Sequence, residues 1–144
     1  MIELFTINAT DVRRNWSEVS ESAIREKPAF IKKTRDYMVL SSNKFMNELL
    51  SGYTYTAIKF VEEDGSITLS LNELDLVENA PSEKEAKESM AKAILEYAAD
   101  FYAEYNMWAS APNRKHEIPY VFKALILDDI SKIGACIKCQ AGKI

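Results

Sequence analysis

Through the first fifty residues the apolar positions recur first at helical and then at strand spacing. Val12, Trp16, Val19, Ala23 and Ile24 fall on one face of a helix that opens in ATDVRRNWSEVSESAIREKP, because residues three and four apart share a side. Asn8 or Thr10 can cap it, since either side chain can accept from the free N–H groups of a first turn. Pro28 ends it, because the residue before a proline is turned away from helical geometry. Ala29–Lys33 and Tyr37–Leu40 form a hairpin around Thr34-Arg35-Asp36. Ser41 or Ser42 then caps a short helix that buries Phe45, Met46, Leu49 and Leu50. Ahead of all these, Glu3–Ile7 is a run of β-formers and supplies a first strand.

The pattern restarts at Gly52. Tyr53–Val61 is rich in β-formers, and Glu62-Glu63-Asp64-Gly65 is a turn in which the glycine is free to take positive φ. Ile67, Leu69 and Leu71 alternate with Ser66, Thr68 and Ser70, as in a half-buried strand. Leu74–Val77 offers a third strand. Ser82-Glu83-Lys84-Glu85 fits a capping box. The long helix behind it carries Ala86, Met90, Ala93, Ile94, Tyr97, Ala98, Phe101 and Tyr105 on one face and ends near Asn106. Residues 110–118 make a polar connection, Pro119–Leu127 a further helix, and Asp129 caps a last one to about Cys136. The expected fold is α+β. A small sheet with two helices spans residues 1–51, and a β-β-β-α module with C-terminal helices spans residues 52–144.

Composition narrows this in three ways. At 144 residues and 47% apolar content the chain is one domain or two very small ones, and each half alone has little core. Dimerisation or close packing between halves follows as an expectation. There is no run of about 18 apolar residues, so no spanning helix is expected, and MIELFTIN lacks a signal-peptide pattern, which places the chain in the cytoplasm. Net charge is −4, unevenly spread: residues 1–50 hold 8 Lys/Arg against 7 Asp/Glu, residues 51–110 hold 4 against 12, and residues 111–144 hold 6 against 3. Any nucleic-acid surface must therefore be local and lie near the ends of the sequence.

Candidate chemistry is sparse. Arg13 and Arg14 stand near the front of the first helix, off its apolar face, and Lys32, Lys33 and Arg35 cluster at the hairpin. Two basic groups on one small unit suit an anionic partner, with a duplex the obvious one. The plainer alternatives are a solvated hairpin, and helical ion pairs of the arginines with Asp11, Glu18 or Glu21. Trp16 could stack on a base, but its helical position favours the core, as it does for the aromatics of the long helix. Cys136 and Cys139 supply two thiolates where zinc takes four ligands, so no metal is expected. Asp128 and Asp129 read as helix caps, and Glu62, Glu63 and Asp64 as a turn. The single histidine, His116, and the lack of a glycine-rich phosphate loop leave no catalytic set and no cofactor site.

The ordered pieces FTIN, DVRRNWSEVSESAIREKP and PAFIKKTRDYMVLSSNKFMNELL resemble the Phd/YefM, or prevent-host-death, antitoxin family. The resemblance covers the first third of the chain. It implies a non-enzymatic antitoxin of a type II toxin–antitoxin system that dimerises through its sheet and helices. Such a dimer would bind operator DNA, repress its own operon and neutralise a toxin, expected to be a ribonuclease. Arg13 matches the family's basic residue on the first helix. Lys33 matches the one that ends the hairpin strand, where arginine is common. A lysine there has no planar fork, which favours phosphate contact over bidentate base reading. The turn TRDY is a residue shorter than the family's usual glycine-containing turn. The DNA-binding set implied is Thr10, Arg13, Arg14, Lys32, Lys33 and Arg35. Residues 53–105 are similar, over fewer features, to the HicB-type antitoxin module, with EEDGS closing a strand and SEKEAKESMAKAILEYA as its helix; ENAP stands where that module has a glycine-rich turn. An alternative function is an interaction or scaffold protein that keeps the antitoxin-like fold for dimerisation and does not bind DNA.

Overall fold

The structure, a computed structural model, describes residues 4–142. The chain folds as two compact units, Met1–Leu49 and Leu50–Ile144.

In the first unit, β1 (Thr6–Asn8) leads into α1 (Ala9–Arg14) and α2 (Trp16–Arg25), followed by β2 (Ala29–Lys33), β3 (Asp36–Leu40) and α3 (Asn43–Leu49). The sheet order is β1-β2-β3, with β1 parallel and β3 antiparallel to β2. Parallel neighbours need a crossover connection, and the two helices supply it. The expected single helix is broken at Asn15, whose backbone N–H and side-chain Nδ2 both donate to the Asp11 carbonyl, at 3.0 and 3.1 Å. Asparagine competes with the helical ladder in this way. Asn8 is the N-cap of α1 and Thr10 lies inside it, but neither makes the expected cap bond: Asn8 shows no side-chain cap hydrogen bond. The first strand starts at Thr6; Glu3, with which it was expected to start, lies outside the described residues. The hairpin turn is Thr34-Arg35, and Asp36 already pairs with Lys33. Ser42 Oγ accepts from the Phe45 N–H at 3.0 Å, one of the two expected caps.

The core of this unit is thin. Among the described residues Val12, Ala23 and Ile31 are its buried apolar ones, whereas Trp16, Ile24, Phe30, Met38, Val39 and Leu49 are exposed. Trp16 was expected in the core and is 54% exposed. The break at Asn15 separates it from the helix that carries Val12. Leu49, also expected buried, is exposed at the end of α3.

The second unit carries the larger core. β4 (Tyr55–Val61), β5 (Ile67–Leu71) and β6 (Val77–Ala80) form an antiparallel meander, and α4 (Glu83–Ala103), α5 (Tyr105–Ser110), α6 (Ile118–Leu127) and α7 (Ile130–Ala135) follow. The chain closes with β7 (Ile137–Ala141), parallel to β4, so the order is β6-β5-β4-β7. Ile67, Leu69 and Leu71 are buried with Tyr55, Ala57 and Ile137 against Met90, Ile94, Ala98 and Phe101 of α4 and Val121, Ala124 and Ile133 of α6 and α7. Ser82 caps α4 by accepting from the Glu85 N–H at 3.2 Å, and Asp129 caps α7 by accepting from the Lys132 N–H at 3.0 Å. Gly65 takes φ +85° in the β4–β5 turn, as the sequence required.

Four details differ from the expectation. The third strand starts at Val77 rather than Leu74, because the Leu71 N–H donates to the Leu76 carbonyl at 2.7 Å and closes a turn. Leu74 plugs that turn, buried, and Asp75 takes φ +56°. The long helix stops at Ala103, with Glu104 leaving helical geometry before α5. The polar connection therefore begins only after Ser110 and contains a 3₁₀ turn at Lys115–Glu117. The chain's last element is a strand rather than a helix. Its signal was present: Ile137, Cys139 and Ala141 alternate with Lys138 and Gln140, a period of two that marks a strand.

Candidate nucleic-acid interface and its family

The first unit builds its basic residues from two adjoining strand ends. β1 and β2 run parallel with Asn8 opposite Lys32, so the start of α1 and the end of β2 emerge on one edge. There Asn8, Ala9, Thr10, Asp11, Arg13, Lys32, Lys33 and Thr34 line an open groove of about 560 Å³. Four of the six expected contact residues, Thr10, Arg13, Lys32 and Lys33, meet in it. Arg14 and Arg35 are exposed but do not line it. Asn8, Asp11 and Thr34 were not expected in the set; their signal was only that they neighbour the basic positions at the strand ends.

Two features mark the groove's rim. Lys32 stands over the Tyr37 ring, 5.5 Å from its centre, the cross-strand partner in the hairpin register. Thr34 takes φ +58°, a conformation glycine adopts freely and a β-branched residue only under strain. Among the described residues, no ion pair engages Arg13, Arg14, Lys33 or Arg35. The helical pairing weighed for the arginines is absent, and Glu21 instead accepts from Arg25 Nε at 2.8 Å. A neighbouring apolar groove of about 420 Å³ is lined by Val12, Trp16, Ile31, Met38, Val39 and Leu40, and Arg13 lines both.

A model of the PHD-like family, described as the antitoxin of a RelE/RelB toxin–antitoxin system, matches residues 1–139. The chain belongs to this antitoxin family. A crystal structure from Syntrophomonas wolfei subsp. wolfei, described as an antitoxin part of a proposed toxin/antitoxin system, is similar over nearly the whole antitoxin. The two are 33% identical with a TM-score of 0.89, over 95% of this chain and 99% of that one. No curated protein matches the antitoxin. The similarity spans both units, so the second is part of the family's architecture and not an appendage to a shorter antitoxin. No helix of the antitoxin among the described residues is long and apolar enough to cross a membrane.

The second unit of the antitoxin holds one buried charged cluster that the sequence did not reveal. Glu117, 2% exposed, accepts from the Tyr97 hydroxyl on one carboxylate oxygen and from Arg114 Nη1 at 3.1 Å on the other. Arg114 Nη1 also donates to the Tyr97 oxygen at 3.0 Å, and its guanidinium lies over Trp108. Both carboxylate oxygens of Glu117 accept a hydrogen bond, so the cluster fastens the 3₁₀ turn to α4. Nearby, buried Lys123 donates to the Leu50 carbonyl at 3.2 Å. Cys136 and Cys139 are free, half-buried thiols, and among the described residues no three His, Cys, Asp or Glu side chains converge as a metal site.

Burial and the Glu117 hydrogen bond push Tyr97 up to about 12. Burial, together with the negative groups around it, also raises Tyr55, whose hydroxyl donates to the Tyr120 carbonyl at 2.7 Å. Both hold their protons more tightly folded than unfolded. Their contribution is therefore complete below the unfolded value of about 10 and falls as pH rises above it, that of Tyr97 being lost by about 12 and that of Tyr55 over a higher range. Urea midpoints are expected to fall between pH 9 and pH 11.5, with a shallower fall for Tyr97→Phe. Equal slopes for the two proteins would contradict the assignment.

Proposed function

We propose that the first unit dimerises and carries the operator-binding surface through which this antitoxin represses its own operon. The groove carries the reading: Thr10, Arg13, Lys32 and Lys33 converge on one exposed edge, and no carboxylate among the described residues is ion-paired to Arg13 or Lys33. Arg13 at the helix and Lys33 at the turn are suited to adjacent phosphates, and such contacts fix register on a duplex. The unit's thin core and the exposed apolar residues beside Trp16 supply the reason for a dimer. A 49-residue unit that buries so little of its apolar surface gains stability by covering it with a second copy. Because Arg13 borders both grooves, dimerisation would order the side chain that faces the DNA. The second unit would neutralise a toxin, a ribonuclease by family resemblance, and the protein would act in the cytoplasm without catalysis of its own.

Gel shift with the DNA upstream of its own gene tests this. The wild-type chain is expected to shift that fragment, with affinity falling steeply with salt as phosphate contacts require. Arg13→Ala combined with Lys33→Ala should weaken binding by about 10-fold or more at two lost charge contacts. A wild-type chain that leaves the fragment unshifted at low salt would remove the repressor reading and favour a scaffold role.

A further inference from the structure

We propose that Thr34, at the tip of the β2–β3 hairpin, is a direct DNA contact of this antitoxin, its hydroxyl donating to a backbone phosphate held in the basic groove. This rests on the operator-binding role proposed for the first unit and adds to it a residue that carries no charge.

The reason is a backbone conformation that the fold itself does not explain. Among the described residues three other than glycine take positive φ: Thr34 at +58°, Asp75 at +56° and Asp128 at +44°. Aspartate tolerates this region, because its short polar side chain can bond locally. Both aspartates also serve the fold. Asp75 stands in the turn that the Leu71 N–H closes on the Leu76 carbonyl, beside buried Leu74. Asp128 ends α6, with its N–H donating to the Ala124 carbonyl at 2.9 Å. Threonine has no such tolerance: its branched Cβ crowds the backbone there, and glycine or asparagine is what tight hairpin turns take.

Nothing within the first unit offsets that strain. The Thr34 side chain is exposed, so it gains little from packing. Among the described residues its hydroxyl makes no hydrogen bond. The residue stands instead between Lys33 and Arg35 and lines the groove with Thr10, Arg13, Lys32 and Lys33. Strained residues of this kind collect where ligands bind. The groove sets the ligand's chemistry. Three cations line it against one carboxylate, Asp11, so it takes an anion. A threonine hydroxyl beside those cations is a donor suited to a phosphate oxygen, and a bond to a charged acceptor is stronger than one between neutral groups. Glycine at this position would relax the turn and leave the phosphate one donor short.

The test uses the full chain and the DNA fragment upstream of its own gene, with gel shift across a salt series and the melting temperature measured in parallel. Thr34→Gly is expected to raise the melting temperature by about 2 °C or more and to weaken DNA binding about 10-fold. Stability and affinity moving in opposite directions is the signature, since a purely structural residue moves both together. Thr34→Ser keeps the hydroxyl and should bind within about threefold of wild type. The slope of affinity against salt should stay that of wild type in Thr34→Gly, because a neutral donor releases no counterion, whereas Lys33→Ala lowers it. Unchanged affinity in Thr34→Gly, a lower melting temperature, an equal loss in Thr34→Ser or a shallower salt slope each overturns the assignment; the last would mean that the turn acts by placing Lys33. In all four cases the repressor reading stands as long as the wild type shifts the fragment. A wild type that leaves it unshifted at low salt removes that reading, and the Thr34 contact with it.

Discussion

Phe101→Ala is expected to cost the second unit about 3–5 kcal/mol, the range for deleting a fully buried aromatic side chain. Phe101 is 0% exposed and sits among rings contributed by two helices: Tyr97 at 6.3 Å, Tyr105 at 6.1 Å and Trp108 at 5.9 Å between centres. The rings around it are stiff, so collapse around the cavity is limited and the loss should lie toward the upper end. A domain has only about 5–15 kcal/mol in total. The melting temperature followed by circular dichroism is expected to fall by roughly 15 °C or more, at about 4–8 °C per kcal/mol for a unit of this size. A fall of under about 5 °C would show that the aromatic cluster is a surface feature and not the anchor between α4 and α5.

Glu117→Ala is expected to destabilise by about 3 kcal/mol, near the lower end for removing one partner of a buried charge pair. The carboxylate is the acceptor for both Tyr97 and Arg114. Its loss strands a guanidinium whose side chain is only 29% exposed and a hydroxyl without an acceptor. Partial contact of Arg114 with water keeps the cost from the upper end. Glu117→Gln keeps an acceptor and removes the charge, so about half of the loss should return. The double variant Glu117→Ala with Arg114→Ala should be less damaging than the sum of the single ones, with a coupling above about 1 kcal/mol. Urea denaturation of the four proteins measures this. Additive losses, or equal losses for the alanine and glutamine variants, would mean that shape and not charge holds the 3₁₀ turn in place.

These two residues also show how far a linear pattern reaches. Phe101 could be placed in the core from the period of Ala86, Met90, Ile94 and Ala98 alone, because a face repeated over about four turns has one way to be buried. Glu117 could not, because its partners lie 20 and 3 positions away in sequence, and a lone glutamate in a polar stretch reads as solvated. Trp16 failed in the opposite sense. Its spacing from Val12 and Val19 is that of a core position, yet it is 54% exposed and lines an apolar groove instead. Leu74 failed because an apolar residue that plugs a turn looks the same in sequence as one in a strand.

The basic positions followed the same division. Arg13, Arg14, Lys32, Lys33 and Arg35 were visible as two groups. That Arg13, Lys32 and Lys33 share a groove with Thr10, while Arg14 and Arg35 do not line it, follows from the parallel pairing of β1 with β2. By itself the sequence determined what depends on near neighbours: the β2–β3 hairpin, the Ser82 and Asp129 caps, the left-handed Gly65, the alternation of β5 and the buried face of α4. Tertiary structure decided what depends on distant ones: the place of β7 beside β4, the closed Tyr97–Arg114–Glu117 cluster, and which cations meet. Backbone propensity and side-chain period act within a few residues, whereas burial and the convergence of charge are properties of surfaces that exist only once the strands have paired.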